Sequence, residues 1–129
     1  MIPENIKTLI EKLIKKTNDN QAIWTKTSLD NEFKLDLEKG AITTDNFETT
    51  DGEIFVDLVI RNENGDIIEN VRVGVSEKED YKLITGLHNI AKRKYYRVEE
   101  TIKTIFEELD SDKIIGKKDS HFKEEDLPF

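Results

Sequence analysis

The chain has 129 residues and a mass of 15.0 kDa, which predicts one domain with a hydrophobic core of its own. Its net charge of −8 disfavours non-specific attraction to nucleic acid or to anionic lipid. The lack of cysteine excludes disulfides and thiolate metal sites, and the lack of a long apolar run predicts no membrane span. We therefore expect a cytoplasmic protein.

The amino-terminal segment, IPENIKTLIEKLIKKTND, has the apolar spacing of an amphipathic helix. Pro3 suits the first turn of this helix, and Lys15 and Lys16 suit the negative end of its dipole, before TNDN ends it. Such a narrow apolar stripe must pack on another element. The stripe consists of Ile6, Leu9, Ile10, Leu13 and Ile14.

Between Trp24 and Val75 the apolar period changes to two, which predicts strands. Four segments show this period: EFKLDLEKG, AITTDNF, IFVDLVIR and IIENVRVGV. The Asn64-Gly65 pair tolerates the positive φ of a tight turn between the last two segments. Because the connections are short, we predict a four-stranded antiparallel meander. Its edge strands could pair with a second copy of the chain, so a homodimer is a candidate assembly.

After SEKED the apolar period returns to 3.6. We predict one long helix from about Lys78 to Leu109, with a break into two helices at Tyr96–Val98 as the alternative. The predicted fold class is α+β, in the order α-β-β-β-β-α, with both helices on one face of the sheet. Residues 1–110 form the predicted domain, and residues 111–129 form a flexible tail because they contain too few apolar residues to hold a fold.

Residues that often carry catalysis are present, but not at the spacings that catalysis needs. Neither His88 nor His121 has a partner at metal-ligand spacing, so structural or solvated histidines are favoured. The GKK sequence at Gly116 lacks the earlier glycine and the Ser or Thr of a phosphate loop. The NENGD sequence lacks the downstream glutamate of a calcium loop. We therefore predict neither an enzyme nor a metal or cofactor site.

One short segment, KRKYYR, is basic and aromatic within this acidic chain. Cations bind phosphates, and tyrosine rings stack on unpaired bases, so the segment is a candidate contact for single-stranded DNA. The alternative is an ordinary solvated helix face, with Tyr95 on the core stripe. Phe55 is a second candidate for stacking, on an open sheet face, whereas Trp24 is expected in the core. The candidate contact residues are Lys92, Arg93, Lys94, Tyr96 and Arg97.

The sequence closes on KEEDLPF, whose composition predicts a docking peptide. Pro128 stiffens the backbone and lowers the entropy lost on binding. Phe129 offers a ring for a partner's pocket, and its α-carboxylate can meet an arginine or lysine at the rim. An acidic run precedes them and would speed encounter with a basic ridge on the partner. That run is Glu124, Glu125 and Asp126.

These last six residues, EEDLPF, resemble the C-terminal tip of bacterial single-stranded DNA-binding protein (SSB), an acidic run followed by Ile or Leu, Pro and Phe. In that family the tip recruits replication, recombination and repair enzymes rather than binding DNA. The resemblance implies that Phe129 is the pocket anchor, that Pro128 and Leu127 give hydrophobic support, and that residues 124–126 supply charge. It covers residues 124–129 only. The family has an OB-fold body, unlike the meander predicted here, and the body of this chain resembles no characterised family securely.

The leading hypothesis is a non-enzymatic accessory protein of DNA metabolism, from a bacterium or a phage. Its tip would dock on SSB-binding genome-maintenance enzymes and either recruit them or compete with SSB. The first alternative is a single-stranded DNA-binding protein with a ββββα-type body and an SSB-like recruiting tip. The second alternative is a small interaction or immunity-type domain whose ending is a coincidence.

Overall fold

The computed structural model describes residues 2–116. Its fold class is α+β, as predicted, and its sheet is antiparallel with the strand order β1-β2-β3-β4-β5. The elements in chain order are α1 (Glu4–Asn18), β1 (Thr25–Lys26), β2 (Glu32–Leu37), β3 (Gly40–Glu48), β4 (Ile54–Asn62), β5 (Ile67–Gly74), α2 (Lys78–Tyr95) and α3 (Val98–Leu109).

The predicted number of strands is wrong, because the sheet has five strands rather than four. The additional strand is β1, in which Thr25 pairs with Lys34 and Lys26 pairs with Phe33 of β2. A two-residue strand is too short to display an apolar period of two, so the sequence pattern did not reveal it. The other four strands lie where the alternating segments predicted them.

The prediction of a single long C-terminal helix is also wrong, and the alternative, a break into two helices, is confirmed. Helix α2 ends at Tyr95, and α3 begins at Val98. Between them Arg97 has a φ of 54°, in the left-handed region, which a right-handed helix cannot continue through. The break needs neither glycine nor proline, which is why the residue types did not show it.

The core lies between the sheet and the two helices α1 and α2. Alternate strand residues point toward these helices, as the registers Phe33↔Thr44 and Thr44↔Leu58 show. The side chains that fill this layer are almost completely buried, as burial of apolar surface requires for stability. They include Ile6, Ile10, Trp24, Phe33, Ile42, Val56, Leu58, Val73, Ile84, Leu87 and Ala91. Helices α1 and α2 therefore contribute to the core on this face, whereas α3, the last part of the predicted long helix, has no buried residue.

Two turn positions depend on glycine. Gly65, in the hairpin between β4 and β5, has a φ of 87°, and the Asn62 side chain accepts hydrogen bonds from the backbone of Asn64 and Asp66. This is a hairpin turn, as NENGD predicted. Gly40 begins β3, where a Cβ atom would overlap the carbonyl oxygen of Arg61 on β4. Any side chain at position 40 would therefore displace a neighbouring strand.

The chain divides into two compact units, Met1–Val98 and a second unit that begins at Glu99. The first contains the sheet with α1 and α2. In the second, α3 has an apolar stripe of Ile102, Ile105, Phe106 and Leu109, all of them exposed. The predicted boundary between a domain at residues 1–110 and a tail at residues 111–129 stays a prediction, because most of that segment lies outside the described residues.

Candidate functional site

The predicted docking tip, residues 124–129, lies outside the described residues. Its six members are therefore neither confirmed nor contradicted, and they stay a prediction. They are Glu124, Glu125, Asp126, Leu127, Pro128 and Phe129. The sites that the structure does describe are the basic segment at the end of α2, the open face of the sheet, a buried histidine and an apolar groove beside α1.

The basic segment forms the last turn of α2. Lys92 and Arg93 are exposed, and they lie where positive charge is favoured by the helix dipole. Lys94 is half-buried, and its Nζ donates a hydrogen bond to Asn20 Oδ1 at 2.7 Å. The structure thus gives Lys94 a role in joining the end of α2 to the end of α1, which sequence reasoning did not foresee.

The tyrosines of this segment belong to an aromatic cluster around Phe33. The Tyr95 and Tyr96 rings meet edge to face with their centroids 4.9 Å apart. Their centroids lie 5.6 Å and 6.0 Å from that of Phe33, which is itself fully buried. Such pairs add about 0.5–1.5 kcal/mol each beyond area burial. Tyr96 is nevertheless about half exposed, so one side of its ring still faces solvent.

The open face of the sheet carries a second aromatic group, Phe47 and Phe55, which we name the ring pair. The two side chains are cross-strand neighbours on β3 and β4, with their rings stacked and centroids 5.9 Å apart. The Arg72 guanidinium lies 4.9 Å from the Phe47 centroid, a cation–π contact. Sequence reasoning named Phe55 and missed Phe47 and Arg72. The alternation along β3 and β5 predicts which face each residue occupies, but their contact depends on the strand register.

Acidic side chains dominate the electrostatics beside the ring pair. Glu32, Asp45 and Asp57 lie side by side on β2, β3 and β4. Arg72 neutralises one of them, since its Nε and Nη2 donate to Asp57 at 2.8 Å and 2.9 Å. Burial raises the pKa of Asp45 above its ordinary value, and the charges of Glu32 and Asp57 raise it further. This part of the face therefore repels phosphate.

His88 is buried in the core and holds two neighbouring strand and loop residues. Its Nδ1 lies 3.0 Å from Thr44 Oγ1, and its Nε2 lies 3.4 Å from Asn31 Oδ1. The Asn31 side-chain nitrogen Nδ2 donates a hydrogen bond to the carbonyl oxygen of Asn46, so Asn31 Oδ1 is the atom that faces the His88 ring. Nε2–H is therefore the donor, and the Thr44 hydroxyl donates to Nδ1. Burial lowers the pKa of His88 to about 4, with a further contribution from the Lys92 charge.

An apolar groove runs beside α1, and we name it the α1 groove. It is a depression of about 700 Å³ between α1, the segment before β1, and the core-facing residues of β2 and β3. Most of its lining is apolar, and the polar side chains of Asn5, Thr8, Lys12 and Lys16 on α1 also line it. The apolar lining side chains are Leu9, Leu13, Ala22, Ile23, Leu35, Leu37 and Ile42. Of these, Ile23 is 84% exposed.

Trp24 lies in the core, as expected, with its Nε1 donating to the buried Thr17 hydroxyl at 3.1 Å. Within residues 2–116, no three His, Asp or Glu side chains are grouped so that they could hold a metal ion. Across the same residues, no helix has both the length and the apolar character needed to cross a membrane. No protein-family model, curated protein or solved structure matches this chain.

Proposed function

We propose that this protein is a non-enzymatic accessory factor of DNA metabolism that docks through its EEDLPF tip on enzymes that bind the tip of SSB. The observation that carries the proposal is the order of residue types at positions 124–129: three acids, then Leu127, Pro128 and Phe129. The enzymes concerned act in replication, recombination or repair. The protein would recruit them to single-stranded DNA or compete with SSB for them.

Each part of the tip has a distinct physical role in this proposal. Phe129 places its ring in an apolar pocket of the partner. Pro128 restricts the backbone, so less entropy is lost on binding. The acidic run acts mainly on the association rate, because its contacts lie at the exposed edge of the interface.

The charge of the body supports docking on a basic surface. The whole chain has a net charge of −8, and residues 111–129 contribute five acids and four lysines. The rest of the negative charge therefore belongs to residues 1–110, so that body and tip are attracted by the same basic ridge. In the body, Arg72 is bound to Asp57 and His88 is sealed in the core, so both groups are engaged structurally.

The proposal is tested by titrating the full-length protein and a variant lacking Phe129 against a helicase or recombination mediator that binds the SSB tip. We expect the deletion to weaken binding by about 2 kcal/mol or more, about 30-fold, because it removes the anchor ring. Replacing the three acids with amides should instead lower the association rate and its salt dependence. Equal binding by the full-length protein and the deletion variant contradicts the proposal.

A second candidate function is direct binding of single-stranded DNA, and the ring pair with Arg72 favours it. Stacked rings beside a guanidinium are a platform on which bases stack. The acidic row beside them and the packing of Tyr96 on Phe33 oppose this function. A fluorescence titration with oligo-dT at low salt separates the two candidates. Binding that falls in a Lys92→Glu/Arg93→Glu variant supports DNA contact at the basic segment, and absence of binding rejects this second function.

A further inference from the structure

The α1 groove and helix α3 match in length, apolar character and net charge, and this match is independent of the proposed tip function. The groove-facing positions of α1 are Asn5, Thr8, Leu9, Lys12, Leu13 and Lys16. They recur every three or four residues, so they form one continuous wall of the groove. From residue 5 to residue 16 this wall is about 16 Å long, at about 1.5 Å per residue.

Helix α3 has the length and pattern that such a groove accepts. Its exposed apolar residues Ile102, Ile105, Phe106 and Leu109 occupy the i, i+3, i+4 and i+7 positions. This is the spacing of a helix that lies in an apolar groove. The 12 residues of α3 span about 18 Å, which matches the wall formed by α1. A helix this short is only marginally stable when its apolar face stays in water.

The groove and helix α3 carry opposite net charges. Lys12 and Lys16 line the groove, and neither forms an ion pair with any residue between 2 and 116. Helix α3 carries four acids, Glu99, Glu100, Glu107 and Glu108, and one basic residue, Lys103, which gives it a net charge of −3. The one acid in the groove lining is Asp36, and Lys34 already pairs with it at 3.2 Å.

We propose that the α1 groove of one copy of this protein receives helix α3 of a second copy. In a twofold dimer the contact occurs twice, so both grooves and both apolar stripes are covered together. The exposed Ile23 and Leu37 side chains of the groove and Phe106 of the helix lie at the centre of the contact. This arrangement differs from strand pairing at the sheet edge, which would use β5 and its exposed residue Ile68.

Sedimentation equilibrium tests the assembly. We expect the full chain to have twice its 15.0 kDa mass at micromolar concentration. Phe106→Glu should raise the dimer dissociation constant by about 30-fold or more, because it puts a charge into an apolar groove. Ile68→Glu is the matched control, since Ile68 and Phe106 are both 60% exposed. A monomer at every concentration overturns the proposal, as does a dimer that Ile68→Glu dissociates and Phe106→Glu does not.

Cysteine cross-linking tests which surfaces meet, and the natural chain contains no cysteine to interfere. A Leu37→Cys chain is mixed with a Phe106→Cys chain and oxidised, with Ile68→Cys plus Phe106→Cys as the control pair. We expect covalent heterodimers from the first pair at several times the yield of the control. Equal yields overturn the proposal. A chain that carries both Leu37→Cys and Phe106→Cys provides a second test. If its two cysteines form a disulfide within one monomer, the groove is occupied by the chain's own α3 and the proposal is overturned.

Discussion

His88 is a titratable side chain that forms part of the hydrophobic core. It is 1% exposed, and Thr44 and Asn31 satisfy its two ring nitrogens. Phe33 packs against it edge to face, with the centroids 5.5 Å apart. Burial lowers its pKa to about 4, so the ring is neutral in the folded protein at neutral pH. Its contribution to stability therefore depends on pH.

We expect the free energy of unfolding to fall as the pH drops below the ordinary histidine pKa of 6.5. The folded-state pKa is about 4, so between these values the unfolded chain binds the proton and the folded chain does not. The stabilisation that comes from burying a neutral His88 is fully present above pH 6.5. Between pH 6.5 and about pH 4 it is lost at up to about 1.4 kcal/mol per pH unit. Urea unfolding at about pH 7 and about pH 5.5 measures this loss.

The control for this prediction is His88→Gln, which keeps a polar amide but does not titrate. All carboxylates are common to both proteins, so the difference between their pH profiles isolates His88. We expect a smaller fall in the variant. Identical profiles would show that His88 does not carry the effect.

From the sequence, His88 was expected to be either structural or solvated, and the residue pattern could not distinguish these two alternatives. Its partners Thr44 and Asn31 are 44 and 57 residues away in the chain, so no local pattern links them. Arg72 and Phe47 were missed for the same reason, since their contact joins β5 to β3 across β4. Contacts between distant residues follow from the strand register, and the register is known only once the sheet is formed.

At the scale of elements, two glycines should respond oppositely to alanine. Gly40→Ala places a methyl group against the Arg61 carbonyl oxygen, so we expect destabilisation by about 1–3 kcal/mol. Gly86 lies inside α2 with open space around its Cα, so Gly86→Ala should stabilise by about 0.5–1 kcal/mol. Thermal or urea unfolding measures both changes. A loss of stability in Gly86→Ala equal to that in Gly40→Ala would contradict the backbone geometry.

The break between α2 and α3 predicts an unusual order of stability at position 97. Arg97 has a φ of 54°, where glycine is favoured over alanine by about 1 kcal/mol. Both replacements remove the arginine side chain, so comparing Arg97→Gly with Arg97→Ala cancels its contacts. We expect the glycine variant to be the more stable in urea unfolding. In an uninterrupted helix the order would be reversed, with alanine better by about 1 kcal/mol.

The elements that the sequence predicted well are those with a long and regular pattern. Helix α1 and strands β2, β4 and β5 repeat their apolar residues over six residues or more. Strand β1 spans two residues, and the helix break occupies Tyr96 and Arg97 with no glycine or proline. Both depend on tertiary contacts, such as the packing of Tyr96 on Phe33, and not on local propensity.

At the scale of the whole molecule, charge and apolar surface are distributed over separate regions. The body is acidic, the tip carries three acids before Leu127, and α3 and the α1 groove carry exposed apolar residues. The tip proposal comes from sequence alone. The dimer proposal needed coordinates, because only the structure shows that Ile23 of the groove and Ile102 and Ile105 of α3 are exposed.

The central claim is that Phe129 occupies a partner's pocket which also accepts the tip of SSB. Displacement of a fluorescent SSB-tip peptide from its helicase tests this most directly. We predict that the full-length protein displaces the peptide and that a Phe129→Ala variant needs about 30-fold more protein to do so, since the ring is the anchor. No displacement by the full-length protein, or equal displacement by the two proteins, would contradict the claim.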